Sequence, residues 1–238
     1  MAMSKPTFVF APGAWHSSEC FYLGFERLRA RCYATESICY PSYGVKTPNK
    51  TLADDVAALR APLERLANKE NEIILVAHSY GGIVAANATE GLGQKSRAEM
   101  GKKGGVIMFV YLAAFVVPKG KSMTDMFGGN GDYRTPKNPE KLFYHDVDGE
   151  PLNKALSQLK HTSSLAYPTE AHYEPWHDIP YDQVLLLAVQ RVLAASLGAS
   201  ASAFSCDASR SPFLSMPQKV VDGLEYAVNV AQEKRMSE

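Results

Sequence analysis

One serine of the chain stands where a folded protein can present it as a nucleophile. Ser79 lies in Val76-Ala77-His78-Ser79-Tyr80-Gly81-Gly82, between an apolar run typical of a buried strand and a helix of small residues. A sharp turn from strand to helix needs small neighbours, and the N–H groups at the start of the helix stabilise developing negative charge. The segment has the form G-x-S-x-G, with Ala77 in place of the first glycine. We predict a nucleophile elbow at Ser79, the alternative being a turn of purely structural importance.

The loop after the first apolar run could complete a site for a substrate oxygen. Pro12-Gly13-Ala14-Trp15-His16 follows directly on that run. If this loop meets the elbow, the backbone N–H groups of Ala14 and Tyr80 bind a carbonyl oxygen from two sides, as an oxyanion hole does. The alternative is a loop that only ends a strand.

Several aromatic and imidazole side chains are candidates for the wall of a pocket near Ser79. His78 is predicted to pack or gate rather than to act as a base, because an elbow points neighbouring side chains away from each other. For His16, His172 and His177 the alternative to a site role is packing or surface exposure, and Asp178 and Asp182 are candidates for an acid that orients a base. The pocket candidates are Trp15, His16, His78, His172, Trp176 and His177.

The sequence predicts no metal and no cofactor. His172, Glu174, His177 and Asp178 are close in sequence, but Pro175 interrupts them and they contain no pair of histidines at i and i+4. Gly120-Lys121-Ser122 is not preceded by the glycine that a phosphate-binding loop requires five positions earlier.

Apolar strands that alternate with helices must position these residues. This alternation predicts an α/β fold with a parallel sheet that helices cover on both faces. Thr51 and Asp54 predict a helix start, and Pro62 predicts a kink or a restart of that helix. The predicted strands are 7–11, 34–40, 72–77, 105–112 and 202–206, and the predicted helices are 21–31, 51–66, 81–92, 183–197 and 217–234.

The segment from Pro118 to Pro180 has no regular pattern and is rich in Gly, Pro and aromatic residues. A stretch of this length within a compact protein is typical of a functional loop or a cap. We therefore predict a core in two parts, 1–117 and 181–238, with a cap over residues 118–180 between them.

Composition narrows the class of partner. The 238 residues carry 25 Lys+Arg and 25 Asp+Glu, and this balance does not favour nucleic-acid binding. The longest apolar run, 106–117, is about half of the ~20 residues that a membrane helix needs. Four cysteines without a CxxC pair indicate reduced thiols and a cytoplasmic location. The expected partner is a small molecule, and the sequence is compatible with a homodimer.

The elbow and its surroundings resemble the α/β-hydrolase superfamily, more narrowly the branch that contains plant methyl esterases, hydroxynitrile lyases and small fungal hydrolases. The resemblance extends over nearly the whole chain and implies the α/β-hydrolase fold. The stretches that carry it, besides the elbow and the loop at 12–16, are 42–44, 97–106, 111–115, 143–146 and 211–217.

The chain departs from the pattern of these relatives at two points. Their catalytic histidine precedes a Ser-Pro-Phe-Leu-Ser stretch, and here that position is Arg210, which stays protonated and cannot accept a proton. Relatives carry a strand that ends in an Asp after the cap, whereas here Trp176–Pro180 runs straight into Tyr181-Asp182-Gln183. We therefore expect one core strand to be missing and the Ser-His-Asp triad to be incomplete. In an alternative assignment, Val184–Val189 is the strand and Gln190 follows it.

Three functions are compatible with this pattern. The first is an enzyme that turns over a small hydrophobic carbonyl or ester metabolite without hydrolysis, as a lyase, isomerase or cyclase of specialised fungal metabolism. In it, Ser79 and Arg210 are the catalytic residues, and the Ala14 and Tyr80 amides form the oxyanion hole. The second is a serine esterase that recruits His16, His172 or His177 as its base. The third is a non-catalytic ligand-binding protein on the same fold.

Overall fold

A computed structural model describes residues 5–128, 131–185, 202–205 and 208–236. The strands are β1 (Thr7–Ala11), β2 (Thr35–Ser37), β3 (Glu72–His78), β4 (Gly105–Leu112), β5 (Tyr133–Arg134), β6 (Thr162–Ser163), β7 (Tyr181–Leu185) and β8 (Ser202–Ser205). The helices are α1 (Tyr22–Ala30), α2 (Leu52–Asn68), α3 (Gly81–Ala88), α4 (Gln94–Glu99), α5 (Met123–Phe127), α6 (Pro139–Phe143), α7 (Gly149–Gln158), α8 (Pro212–Ser215) and α9 (Pro217–Met236). Short 3₁₀ turns lie at Ser18–Phe21, Ser164–Ala166 and Pro175–His177.

Six of these strands form one parallel sheet in the order β2-β1-β3-β4-β7-β8, as expected for an α/β-hydrolase fold. In the register of the sheet, Ala11 of β1 pairs with Ala77, and His78 of β3 pairs with Leu112. The carboxyl ends of β1, β3 and β4 therefore meet at one edge, where the loops that follow them come together. Parallel strands that are buried on both faces require this apolar composition.

Successive side chains along each strand belong to two hydrophobic clusters, one on each face of the sheet. On one face Val9 and Leu75 pack in the same cluster as Leu59 of α2. On the other face Phe8 packs in the same cluster as Leu224 of α9. Because neighbouring residues of a strand point to opposite faces, each strand contributes to both clusters.

Helix α2 begins with the predicted cap. Thr51 and Asp54 form a capping box, in which the Thr51 N–H donates to the Asp54 carboxylate over 2.9 Å. The helix passes through Pro62 without a restart, contrary to that part of the prediction. Proline removes only one backbone donor, and the buried side chains of Leu59, Leu63 and Leu66 hold the helix on the sheet.

The core strand that was expected to be missing is present. β7 (Tyr181–Leu185) lies between β4 and β8 and pairs in parallel with both. The predicted helix at 183–197 is therefore wrong at its first three residues, and its remainder lies outside the described residues. The alternative strand at 184–189 coincides with β7 at Val184 and Leu185, and residues 186–189 lie outside the described residues. Backbone pairing with two neighbouring strands decided the local structure here, a tertiary effect that periodicity does not report.

The segment at 118–180, which was predicted to be a cap and is called the cap region below, is built of short elements. β5 and β6 form an antiparallel ribbon, and a bridge between Tyr43 and Thr162 ties this ribbon to the loop after β2. Helices α5, α6 and α7 lie in the same region. Among the described helices, none is both long and apolar enough to cross a membrane.

Candidate active site

The turn at Ser79 is a strained elbow that close packing holds in place. Ser79 has φ +52°, a left-handed conformation that is uncommon for a residue other than glycine, and the residue is 7% exposed. A Cβ at Gly81 would lie 2.3 Å from the carbonyl oxygen of Ala11, and one at Gly82 would lie 2.1 Å from that of Phe115. The two glycines are thus required for the approach of helix α3 to the loops after β1 and β4.

The elbow is also fixed by backbone hydrogen bonds. The carbonyl oxygen of Ser79 accepts from the N–H of Gly82 and from the N–H of Phe115, each over 3.0 Å. The second bond joins the elbow to the loop that follows β4. The position of Ser79 relative to this loop is therefore set by main-chain atoms.

The hydroxyl of Ser79 contacts a guanidinium group. The Nη2 atom of Arg210 donates to Ser79 Oγ over 3.1 Å, and the guanidinium lies 4.8 Å above the ring of Phe115. Burial lowers the pKa of Arg210, but a guanidinium remains protonated at neutral pH. All six histidines of the chain lie within the described residues, and none of their ring nitrogens hydrogen-bonds to Ser79 Oγ.

The loop that carries Arg210 is held by side chains from distant parts of the sequence. The carbonyl oxygen of Arg210 accepts from His78 Nε2 over 2.9 Å, and the N–H of Ser209 donates to the Asp146 carboxylate over 2.7 Å. Burial raises the pKa of Asp146, but the hydrogen bonds from Ser209 and Ser215 outweigh it, so the pKa is lowered. The ionised carboxylate is therefore the form that fits this loop.

His78 packs beside Ser79 and the Arg210 loop. Its ring is buried and lies edge-on to Phe213, and its Nε2 hydrogen is directed to the Arg210 carbonyl. Burial, the nearby His16 and the charge of Arg210 hold the pKa of His78 well below its usual value. The neutral ring supports the Arg210 loop and makes no hydrogen bond to Ser79.

His16 is buried on the opposite side of His78, with the two rings 5.8 Å apart. Its Nδ1 lies 2.7 Å from the carbonyl oxygen of Ala14, and its Nε2 lies 2.8 Å from the hydroxyl of Tyr144. Burial lowers the pKa of His16 to about 4. Both ring nitrogens are thus engaged, and neither of them reaches Ser79.

The loop at 13–16 is placed next to the elbow. A Cβ at Gly13 would lie 3.1 Å from Cβ of Ser79, and Ala14 is 4% exposed. Trp15 has φ +67°, and its indole packs against Phe143 of α6 with ring centroids 5.6 Å apart. The structure therefore brings the two segments of the expected oxyanion hole together with Trp15, His16 and His78.

The other three pocket candidates lie elsewhere. His172 Nε2 is 3.5 Å from Glu90, its backbone N–H donates to Asn87 at the end of α3, and its side chain is 55% exposed. His177 pairs with Glu174 and is 66% exposed. Its neighbour Trp176 lines a cleft with Glu72 and Val106, at the amino ends of β3 and β4. Local pairing holds His172 and His177 at the surface, and neither ring hydrogen-bonds to Ser79.

The two candidate acids also lie away from the hydroxyl of Ser79. Asp178 accepts from the hydroxyl of Tyr173 over 2.8 Å. Asp182 is buried in β7, where its Cα pairs with that of Val110. In the part of the chain that the structure describes, no three His, Cys, Asp or Glu side chains form a group that could hold a metal ion.

A buried carboxylate behind the elbow was not found from the sequence. Asp55 of α2 is fully buried and accepts from the N–H of Ser42, from the hydroxyl of Ser42 and from the hydroxyl of Tyr80, over 3.0, 2.7 and 2.8 Å. Burial raises the pKa of Asp55, although these hydrogen bonds lower it in part. The network anchors the side chain that follows Ser79. The sequence signal for this buried carboxylate was an acidic residue, Asp55, on the apolar face of α2.

The chain is similar over most of its length to known proteins of one class. A model of the alpha/beta hydrolase family matches residues 8–223. The alpha/beta hydrolase nvfD of Aspergillus novofumigatus (strain IBT 16806) is 26% identical over 255 aligned residues, which cover 97% of this chain and 100% of that protein.

Solved structures share the fold at lower sequence identity. The crystal structure of tomato methylketone synthase I complexed with 2-tridecanone has a TM-score of 0.73 and 15% identity, covering 96% of this chain and 100% of that one. A methylesterase, MES16 from Arabidopsis, has a TM-score of 0.72 and 20% identity, covering 95% and 100%.

Proposed function

Because the chain belongs to the alpha/beta hydrolase family, we propose that it is an enzyme that acts on a small hydrophobic carbonyl or ester metabolite by a non-hydrolytic reaction. The family supports enzymatic activity in general. The reaction type is inferred from the surroundings of Ser79 alone. A lyase, an isomerase and a cyclase share the step that concerns these residues, which is the development of negative charge on a carbonyl oxygen.

The hydrogen bond from Arg210 to Ser79 carries the proposal. Ser79 Oγ accepts from a permanent cation, so its own hydrogen points to another acceptor. Hydrolysis through a serine requires a base that takes this hydrogen, and no imidazole of the chain is placed to do so. A hydroxyl that accepts from a guanidinium is instead a stronger hydrogen-bond donor. Ser79 is thus suited to polarise a substrate oxygen without leaving the serine as an alkoxide.

Three donors would act together on that oxygen. The Ser79 hydroxyl adds to the N–H groups of Ala14 and Tyr80, and the charge of Arg210 lies one hydrogen bond behind it. Preorganised donors in a site with little water stabilise an oxyanion more than the uncharged ground state, because charge increases in the transition state. Phe115 below the guanidinium limits the access of water to it.

Labelling with a fluorophosphonate, read by intact mass, distinguishes this enzyme from a serine hydrolase. We expect no stoichiometric labelling of the folded protein, because Ser79 has no base. Labelling that is lost in Ser79→Ala would overturn the proposal and identify a hydrolase with an unrecognised base. Circular dichroism of each sample confirms that the protein is folded.

Binding of a ketone tests the polarising role directly. The tomato neighbour was crystallised with 2-tridecanone, and the same ketone with ¹³C at its carbonyl is a suitable probe. We expect its carbonyl resonance to move downfield on binding, and to move less with Arg210→Ala and Ser79→Ala. Arg65→Ala, which removes a guanidinium paired with Glu36 on the surface, is the matched control. Binding without a shift, and without product from any carbonyl compound tested, would leave a ligand-binding protein.

A further inference from the structure

The loop at 13–16 is held in a conformation that it would not adopt alone. Trp15 has φ +67°, a left-handed backbone conformation that is strained for a bulky residue. Such a conformation persists only where surrounding contacts over-determine it. The contacts that hold this loop are therefore of functional interest, because the loop carries the N–H of Ala14.

Within the loop, His16 makes two hydrogen bonds to the backbone. Its N–H donates to the carbonyl oxygen of Gly13 over 3.3 Å, and its Nδ1 lies 2.7 Å from that of Ala14. The Gly13 carbonyl and the Ala14 N–H belong to one planar peptide group, so a bond that fixes the first also fixes the direction of the second. The backbone N–H of His16 thus holds the peptide that carries the Ala14 N–H, and the ring of His16 holds the next peptide, between Ala14 and Trp15.

The second bond defines the tautomer of the His16 ring. A carbonyl oxygen only accepts, so Nδ1 must carry the hydrogen, and Nε2 of the neutral ring is left as an acceptor. The hydroxyl of Tyr144, 2.8 Å away, donates to that Nε2. Both side chains are buried, His16 with 4% and Tyr144 with 2% of its surface exposed, so water does not replace the donor.

We propose that Tyr144 and His16 are positioning residues for the oxyanion loop, in which the Tyr144 hydroxyl selects the Nδ1–H tautomer of His16 and thereby holds the carbonyl group of Ala14, the residue whose N–H serves the oxyanion hole. This inference rests on the proposed role of the Ala14 N–H. Without the hydroxyl, the Nε2–H tautomer becomes competitive and turns the lone pair of Nδ1 toward the Ala14 carbonyl at 2.7 Å. That contact is repulsive, and the loop must move to relieve it.

Two other contacts join the same loop to the cap region. The indole Nε1 of Trp15 donates to the carbonyl oxygen of Arg134 over 3.0 Å, and the carbonyl oxygen of Trp15 accepts from the N–H of Lys160 over 3.2 Å. With Tyr144, the cap region holds the loop from three separate positions in the sequence. These contacts therefore tie the position of the oxyanion loop to that of the cap region.

The tautomer can be measured by ¹⁵N NMR of histidine-labelled protein without any substrate. We expect Nδ1–H for His16 in the natural sequence, and a shift of the tautomer ratio toward Nε2–H of about fivefold with Tyr144→Phe, from the loss of one hydrogen bond. The indole resonance of Trp15 reports the loop and is assigned by comparison with Trp176→Phe, since the chain has two tryptophans. It should also move with Tyr144→Phe.

Tyr173→Phe is the matched control, because the Tyr173 hydroxyl donates to the Asp178 carboxylate and not to His16. It should leave both signals unchanged. An Nε2–H tautomer in the natural sequence, or unchanged His16 and Trp15 signals in Tyr144→Phe, would overturn the positioning role. Failure of carbonyl polarisation alone, with the tautomer as expected, would count only against the proposed function.

Discussion

The elbow at Ser79 and the loop at Arg210 bring their side chains to the same point by different means. Ser79 follows directly on β3 and is fixed by glycines in contact with neighbouring backbone and by main-chain hydrogen bonds. Arg210 lies in a loop that two side chains hold. His78 binds Arg210 across 132 residues of sequence, and Asp146 binds Ser209 across 63. The first region is held by main-chain atoms of neighbouring loops, and the second by side chains.

This difference indicates which residues of the site must be kept and which can be exchanged for others. A turn held by backbone atoms tolerates almost no change in its neighbours, because backbone cannot move aside. A loop held by a few polar side chains can present a different residue at the same place. The chemistry of the site can thus change at position 210 while the elbow is retained.

The largest effect is expected from adding one methyl group at the elbow. Gly82→Ala would place Cβ 2.1 Å from the carbonyl oxygen of Phe115, so backbone must shift and stability should fall by about 3 kcal/mol or more. Urea unfolding followed by circular dichroism measures this. Gly24→Ala in α1, where a Cβ meets nothing within 4 Å, should instead stabilise by about 0.5–1 kcal/mol. Similar losses at both glycines would contradict the steric account.

A slightly smaller loss of stability is expected when the pH is lowered, because His16, beside His78, is held neutral in the folded protein. The pKa of His16 is about 4 in the folded protein and about 6.5 when unfolded, so the unfolded state takes up a proton first as the pH falls. Stability from the neutral ring is complete above about pH 6.5 and decreases toward pH 4, by roughly 3 kcal/mol. His78 acts in the same direction.

Unfolding in urea at a series of pH values between 7 and 4 measures the slope of the unfolding free energy against pH. His16→Gln keeps a polar group near the Ala14 carbonyl but does not titrate, so its stability should depend less on pH. His145→Gln, at an exposed histidine, is the control and should keep the full slope. A slope that His16→Gln does not change would show that His16 is not held neutral by burial.

The smallest effect is expected at the Arg210 loop. Asp146→Asn replaces the acceptor of the Ser209 N–H and should destabilise by about 1 kcal/mol at pH 7, a modest value because Asp146 is exposed in part. The folded pKa of Asp146 is lowered, so its contribution is present above the unfolded value near 3.9 and is lost as the pH falls through the lower, folded value.

The measurement is the difference in unfolding free energy between Asp146→Asn and the natural sequence at pH 7 and at pH 3. It should shrink at the lower pH. Asp148→Asn is the control, because Asp148 precedes α7 without a side-chain hydrogen bond to the helix, and its effect should be near zero. A loss as large as that of Gly82→Ala would show that the loop is as firmly determined as the elbow.

Much of the fold followed from apolar periodicity, but strand β7 did not. β1, β3 and β4 are continuous apolar runs, and each lies within one residue of its prediction. Residues 181–185 combine Tyr, Asp and Gln with Val and Leu, a composition that suits a helix as well as a strand. Pairing with β4 and β8 resolved this ambiguity, and no residue within the segment could have done so.

Prediction of the site was uneven for a related reason. The loop at 13–16 and the elbow could be joined from sequence because both follow strands of one parallel sheet, and strand order places them side by side. His172 and His177 were candidates by residue type only, and their pairing with Glu90 and Glu174 keeps them at the surface. Asp55 and Tyr144 were missed because their partners are distant in sequence.

The sequence by itself determined the parallel sheet, the turn at Ser79 and the presence of an arginine at position 210, since apolar spacing, glycine placement and residue identity are local properties. Only the tertiary structure decided that the Arg210 guanidinium reaches Ser79 Oγ, that β7 completes the sheet and that Tyr144 faces His16. These contacts join residues far apart in the chain. They form because burial leaves each polar group dependent on one particular partner, and that partner is specified by the packing of the whole protein.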